Sequence, residues 1–138
     1  MGLPMSNDRI FWELKFVDTF VTKPKRPRYK KLLHDPKKRD KILNRLNHNH
    51  DLDFSRGVEL LGRDKCTDEL VQRLLTYNIE AQSWLISDDA DLDCKLLPLR
   101  EAVELTTSAD LGTILICPPK PIVLYRAEAS ENSLFLFV

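Results

Sequence analysis

Residues 113–138 read TILICPPKPIVLYRAEASENSLFLFV and contain three short apolar runs separated by two clusters of turn-forming residues. The first cluster is the proline-rich stretch 118–121, and the second is Ser-Glu-Asn at 130–132. Short runs rich in β-branched and aromatic residues, bounded by such clusters, are typical of β-strands joined as hairpins. The segment therefore predicts three consecutive strands, at Thr113–Cys117, Ile122–Arg126 and 133–138.

The last of these strands is apolar up to Val138. It is either a buried central strand or an edge that would pair with another chain. We expect it to be buried within the sheet.

Upstream of this segment, strand-like and helix-like patterns alternate. The apolar stretches 58–61 and 81–87 predict strands. Thr67 precedes two acidic residues and is a good helix start, and Pro98 can open another helix. The resulting order, βαβαβββ, favours an α+β fold in which helices cover a mixed or antiparallel sheet.

Residues 6–48 predict a layer of about three helices packed on that sheet. Apolar residues recur at helical spacing over 10–21, although a strand over the same segment is the alternative. Pro27 suits the first turn of a second helix. The pair Asp35-Pro36 predicts a third, with Asp35 as the N-cap and Pro36 at the first helical position.

Length and composition favour one domain. A chain of 138 residues can bury about two thirds of its unfolded surface. Its apolar fraction of 43% and charged fraction of 30% are those of an ordinary soluble globular protein. We expect a single domain over 1–138, with a basic helical part at 6–48 and an acidic βαβαβββ part at 55–138.

Cysteine usage and hydropathy favour a cytoplasmic location. The three cysteines are odd in number and widely spaced, which argues for reduced thiols rather than a disulfide framework. No apolar run approaches the roughly 20 residues that span a bilayer, and the N-terminus lacks the pattern of a secretory signal. Met1 to Ser6 match the loose N-myristoylation pattern, but short patterns match by chance, so we expect no membrane anchor.

A charge split is hidden by the net charge of zero. Residues 1–50 carry 13 Lys and Arg against 5 Asp and Glu, whereas 51–138 carry 8 against 16. Most of the excess lies between Lys23 and Arg45, where 11 basic residues meet only two aspartates. Such an asymmetry indicates an anionic partner or self-association.

The basic segment 23–45 is the candidate binding surface, with an acidic protein surface or a nucleic acid as the expected partner. Three of its basic residues would lie at the N-terminal turn of the predicted third helix, where a bound anion would offset the unfavourable helix dipole. A tyrosine could supply a stacking face for a base. The candidate residues are Lys25, Arg26, Arg28, Tyr29, Lys30, Lys31, Lys37, Lys38 and Arg39.

A second hypothesis is an enzyme or metal-binding domain. Its candidate ligands are His48, His50, Asp51 and Asp53, the densest group of metal-ligating residue types in the chain. Two histidines two apart lie on opposite sides of a helix, so only an irregular or extended loop could bring them together. We favour a non-enzymatic protein without a cofactor, because no phosphate-binding glycine loop or nucleophile elbow is present.

A third hypothesis is self-assembly, in which the basic half of one molecule meets the acidic half of another. The acidic loop 88–93 would supply the negative surface. Its Asp89, Asp91 and Asp93 have the spacing of a calcium loop, but glycine and glutamate are missing where an EF-hand needs them. A solvated loop is favoured there.

Overall fold

A computed structural model describes residues 6–48 and 51–138. The fold is α+β, with N-terminal helices that precede the strands and a six-stranded antiparallel sheet. The helices are α1 (Ser6–Phe20), α2 (Arg26–Leu33), α3 (Arg39–Leu43), α4 (Thr67–Leu75) and α5 (Leu99–Thr107). The strands are β1 (Gly57–Glu59), β2 (Gln82–Ser87), β3 (Leu96–Pro98), β4 (Thr113–Cys117), β5 (Ile122–Arg126) and β6 (Leu134–Phe137).

The sheet has the order β1-β6-β5-β4-β2-β3, and every neighbouring pair is antiparallel. The three C-terminal strands form consecutive hairpins, as the sequence predicts. In their register Ile114 lies opposite Tyr125, which lies opposite Phe135. The sequence allowed either a mixed or an antiparallel sheet, and the sheet is antiparallel.

Both faces of the sheet are buried, because helices cover each of them. Alternating strand residues such as Ile86, Ile114 and Tyr125 pack against α1, α2 and α3. Their neighbours Leu85 and Leu115 point the other way, toward α4 and α5. The central strands therefore read as continuous apolar runs rather than as an alternating pattern.

The last strand is buried, as predicted. β6 lies between β1 and β5, and Leu134, Leu136 and Phe137 are at most 1% exposed. Cys117, at the end of β4, is fully buried, and burial raises the pKa of its thiol to about 12. The thiol therefore stays protonated and packs as a small apolar group.

The N-terminal layer consists of helices, and the alternative strand over 10–21 is not formed. The third helix differs from its prediction, since α3 begins at Arg39 rather than at Pro36. The Asp35 carboxylate accepts the N–H of Lys37, and its carbonyl accepts the N–H of Lys38. Asp35 and Pro36 thus build a separate turn ahead of the helix.

One strand was not predicted from the sequence. β3 has only three residues, and its apolar Leu-Leu pair runs directly into Pro98, which signals the start of α5. Pro98 pairs opposite Gln82 at the edge of the sheet, the place where a strand tolerates a proline. The observed order after the helical layer is therefore βαββαβββ.

Among the residues described, no helix is both long and apolar enough to cross a membrane. The N-myristoylation pattern at Met1 to Ser6 lies almost wholly outside the described residues.

Candidate functional site

A groove between α2 and α3 gathers basic side chains. It encloses about 400 Å³, and its apolar walls are Pro27 and the mostly buried Leu32. The cationic lining is Arg28, Lys31, Lys38 and Lys41. We call this the basic groove.

Helical periodicity turns these four side chains outward. Tyr29, Leu32 and Leu33 fix the buried face of α2, so Arg28 and Lys31, three residues apart, share the opposite face. In α3 the buried residues are Arg39, Ile42 and Leu43, which leaves Lys41 on the exposed face. Lys38 is exposed in the turn just before α3.

The basic groove carries uncompensated positive charge. None of its four cations forms an ion pair with a side chain in the ranges 9–48 and 51–138. By contrast, Lys30 on the neighbouring face of α2 contacts Asp18 at 2.6 Å. Like charges held around one concavity raise the local potential and attract anions.

Two of the sequence-predicted residues, Tyr29 and Arg39, lie in the interior instead of on this surface. Tyr29 is 2% exposed, and its hydroxyl donates to Asp51 at 2.7 Å. Its ring therefore cannot stack on a base. The side chain of Arg39 contacts Glu13 and Asp93 and is not available to an external anion.

The predicted residues Lys25, Arg26, Lys30 and Lys37 do not line the basic groove. Lys25 and Lys37 are exposed but do not line it, and Arg26 donates to the carbonyl oxygen of Val21. Because α3 begins at Arg39 and has five residues, Lys37 and Lys38 precede it. Of the three basic residues expected in the first turn of this helix, only Arg39 lies within it.

The residues of the second hypothesis face different partners. Asp51 is 2% exposed and binds Tyr29 and Arg45. Burial disfavours its charge, but the hydrogen bonds from Arg45 and Tyr29 outweigh that effect and hold its pKa below the ordinary value. Asp53 caps a short turn by accepting the N–H of Ser55.

Of the two histidines in that hypothesis, His48 lies within the described residues. His48 lies 2.9 Å from Glu131 and 3.7 Å from Glu128, measured from Nδ1 to a carboxylate oxygen, rather than beside Asp51 or Asp53. His50 lies outside the described residues.

The acidic loop is held by its own hydrogen bonds. The Asp89 carboxylate accepts the N–H of Asp91, and Asp93 accepts from the Ser87 backbone and from Arg39. Part of the basic half therefore meets part of the acidic half within one molecule.

Sequence reasoning missed Lys41 as a lining residue and Glu13 as a buried acid. The signal for Lys41 is its spacing of three from Lys38. Arg39 shares its face with Ile42 and Leu43 at spacings of three and four, which is the pattern of a residue that points inward.

A second, smaller cluster surrounds His34, beneath α1. Its Nε2 is buried without a hydrogen bond and lies 4.0 Å from a carboxylate oxygen of Glu13. Burial lowers the pKa of His34 below its ordinary 6.5; Glu13 opposes this effect, while Arg39 and Arg9 add to it. The imidazole is therefore neutral in the folded protein at neutral pH.

This burial predicts an acid-sensitive contribution to stability. Below pH 6.5 the unfolded chain binds a proton at His34 more readily than the folded protein does, so stability falls as the pH falls. We expect the free energy of unfolding of His34→Gln to depend less steeply on pH between 7.5 and 5.5. The reduction corresponds to at most about one proton fewer taken up on unfolding. Urea unfolding across that range measures the slope, and identical slopes in both proteins would contradict the assignment.

Comparison with protein-family models, with curated proteins and with solved structures found no match to this chain. The residues of the basic groove and their surroundings are therefore the basis for the function proposed below.

Proposed function

We propose that this protein is a cytoplasmic, non-enzymatic interaction module that binds the phosphate backbone of a nucleic acid in the basic groove. The observation that carries the proposal is the convergence of Arg28, Lys31, Lys38 and Lys41 without an acidic partner in the described chain. A phosphate backbone would supply the missing negative charge and release its own counterions.

The composition of the basic groove favours phosphate over an acidic protein surface. Lysine is depleted at the centres of protein–protein interfaces, where aromatic anchors dominate, and none of the described residues that line the groove is aromatic. Phosphate contacts by Arg and Lys position a nucleic acid without reading its sequence. With Tyr29 buried, base stacking on that ring does not contribute, so we expect binding with little sequence preference.

The test is the salt dependence of binding to a fluorescently labelled DNA duplex, followed by anisotropy. Four neutralised phosphates give a slope of about −3.6 for the logarithm of affinity against the logarithm of salt concentration. We expect Lys31→Ala/Lys38→Ala to weaken binding and make the slope shallower by about 1.8, since two contacts are lost.

A matched control is Lys95→Ala/Lys120→Ala, which removes the same charge from two exposed lysines that do not line the basic groove. The control should keep most of the affinity and the slope of the unmodified protein. Equal losses in both double variants would mean that only net charge matters, and the groove assignment would fail. Binding of an acidic polypeptide such as polyglutamate, but not of DNA, would favour an acidic protein partner instead.

A further inference from the structure

A cluster of three side chains, independent of the basic groove, joins two distant segments of the chain. His48 follows the 3₁₀ turn Asn44–Asn47 at the end of the helical layer. Glu128 and Glu131 lie in the connection between β5 and β6. Their potential ligand atoms all lie within 4.8 Å of one another.

The backbone holds the two segments together. The N–H of Glu128 donates to the carbonyl oxygen of Asn47, and the N–H of Glu131 donates to that of Glu128. The N–H of Ala129 donates to the carbonyl oxygen of Asp110, which fixes the same loop to the rest of the fold. The three side chains therefore start from positions that are set before any ligand arrives.

The distances approach those of a metal coordination shell. Two ligands at about 2.1 Å from a tetrahedral zinc ion are about 3.4 Å apart. The separations from His48 Nδ1 to Glu131 and to Glu128, 2.9 and 3.7 Å, lie on either side of that value. The side chains are between 29% and 54% exposed, so they can adjust by fractions of an ångström and an ion can reach them.

The charges at the cluster are unbalanced. Within the described ranges the two carboxylates contact a single imidazole, and neither forms an ion pair with a lysine or an arginine. Ser130 donates a hydrogen bond to Glu128, which leaves the charge unchanged. A divalent cation would neutralise both carboxylates and take the imidazole nitrogen as its third ligand.

We propose that His48, Glu128 and Glu131 form a binding site for a divalent transition-metal ion of the zinc type, with at least one coordination position left to water. One nitrogen and two carboxylate ligands suit zinc, whereas calcium requires six to eight oxygens. The bound ion would link the end of the helical layer to the turn between β5 and β6, and so stabilise the folded state.

Isothermal titration with Zn²⁺ tests the site in a Cys66→Ser/Cys94→Ser background, because these two exposed thiols could bind zinc themselves. We expect one Zn²⁺ per chain, a higher melting temperature with Zn²⁺, and no heat from Ca²⁺ at the same concentration. Glu131→Gln and His48→Gln should each lower the zinc affinity by at least about tenfold.

The control is Asp89→Asn/Asp91→Asn, which removes two carboxylates from the acidic loop and should leave the zinc affinity unchanged. Zinc binding that survives both Glu131→Gln and His48→Gln, or that is lost in this control, would overturn the proposal. So would the absence of zinc binding to a folded protein, as judged by circular dichroism. Since the basic groove is not involved, DNA binding by the Glu131→Gln variant should be unchanged, which separates this test from that of the proposed function.

Discussion

Replacement of Arg39 by alanine is expected to lower the free energy of unfolding by about 3–5 kcal/mol, the range for removing one partner of a buried ion pair. Glu13 is fully buried, and its carboxylate accepts from Arg39 at 2.7 and 2.9 Å. Without the guanidinium, Glu13 would keep the half-buried Arg9 at 3.0 Å as its cationic partner among the described residues, with His34 at 4.0 Å. Most of the loss is the cost of leaving a charge poorly compensated in the interior.

The Arg39 guanidinium uses each of its N–H groups. It donates twice to Glu13, twice to Asp93 and once to the carbonyl oxygen of Leu33. Burial disfavours the charged form, yet the hydrogen bonds with Asp93 and Glu13 outweigh it and hold the pKa of Arg39 above its ordinary value. One side chain thereby connects α1, the end of α2, α3 and the acidic loop.

Urea unfolding of Arg39→Ala and Arg39→Lys measures the effect. The lysine variant should also be strongly destabilised, because an ammonium group has three donors and no planar fork. The control is Lys30→Ala, which breaks the exposed contact to Asp18 and should cost at most about 1 kcal/mol. If Arg39→Ala costs no more than the control, the buried network contributes little and the prediction is wrong.

The same network shows why some of the chain could be predicted from its sequence and some could not. The strands of 113–138 follow from local apolar runs and turn residues, and so does the helical character of 6–48. Arg39 and Asp93 are 54 residues apart, and no local pattern pairs them. Charge counting placed Arg39 on an exposed surface, because a count does not register which face of a helix a residue occupies.

Tyr29 illustrates the same limit on the candidate site. It lies three and four residues before Leu32 and Leu33, and this spacing indicates the buried face of α2. Charge and helical periodicity together would have kept Arg28 and Lys31 among the candidate binding residues and excluded Tyr29. The groove itself depends on how α2 packs against α3, which is a tertiary property. The cluster at His48 could likewise not be predicted from a local pattern, because its two glutamates lie about 80 residues later in the chain.

Gly112→Ala is expected to destabilise the protein by at least about 3 kcal/mol, at the upper end of the range for overpacking. Gly112 precedes β4 and lies against the end of the helical layer. A Cβ atom there would overlap the carbonyl group of Leu46 and would lie 2.6 Å from the backbone nitrogen of Asn47. These are backbone atoms, which cannot rotate away as a flexible side chain can.

The methyl group of an alanine at position 112 would disrupt a contact that is central to the fold. The N–H of Gly112 donates to the Asn47 side-chain oxygen at 2.6 Å, and the Asn47 amide donates to Asp88 at 2.8 Å. The Tyr125 hydroxyl donates to the carbonyl oxygen of Leu46. Displacing Leu46 and Asn47 would therefore break hydrogen bonds to three segments, namely the residue before β4, the acidic loop and β5, and leave buried polar groups unpaired.

Gly62→Ala is the matched control, because it tests a backbone conformation without a steric clash. Gly62 has a φ of +57° with no atom within 4 Å of an added Cβ, so the expected cost is only the 1–2 kcal/mol of a left-handed residue. Urea unfolding of both variants separates the two effects. A Gly112→Ala protein no less stable than Gly62→Ala would mean that the helical layer can move away from β4, and that Asn47 does not fix its position.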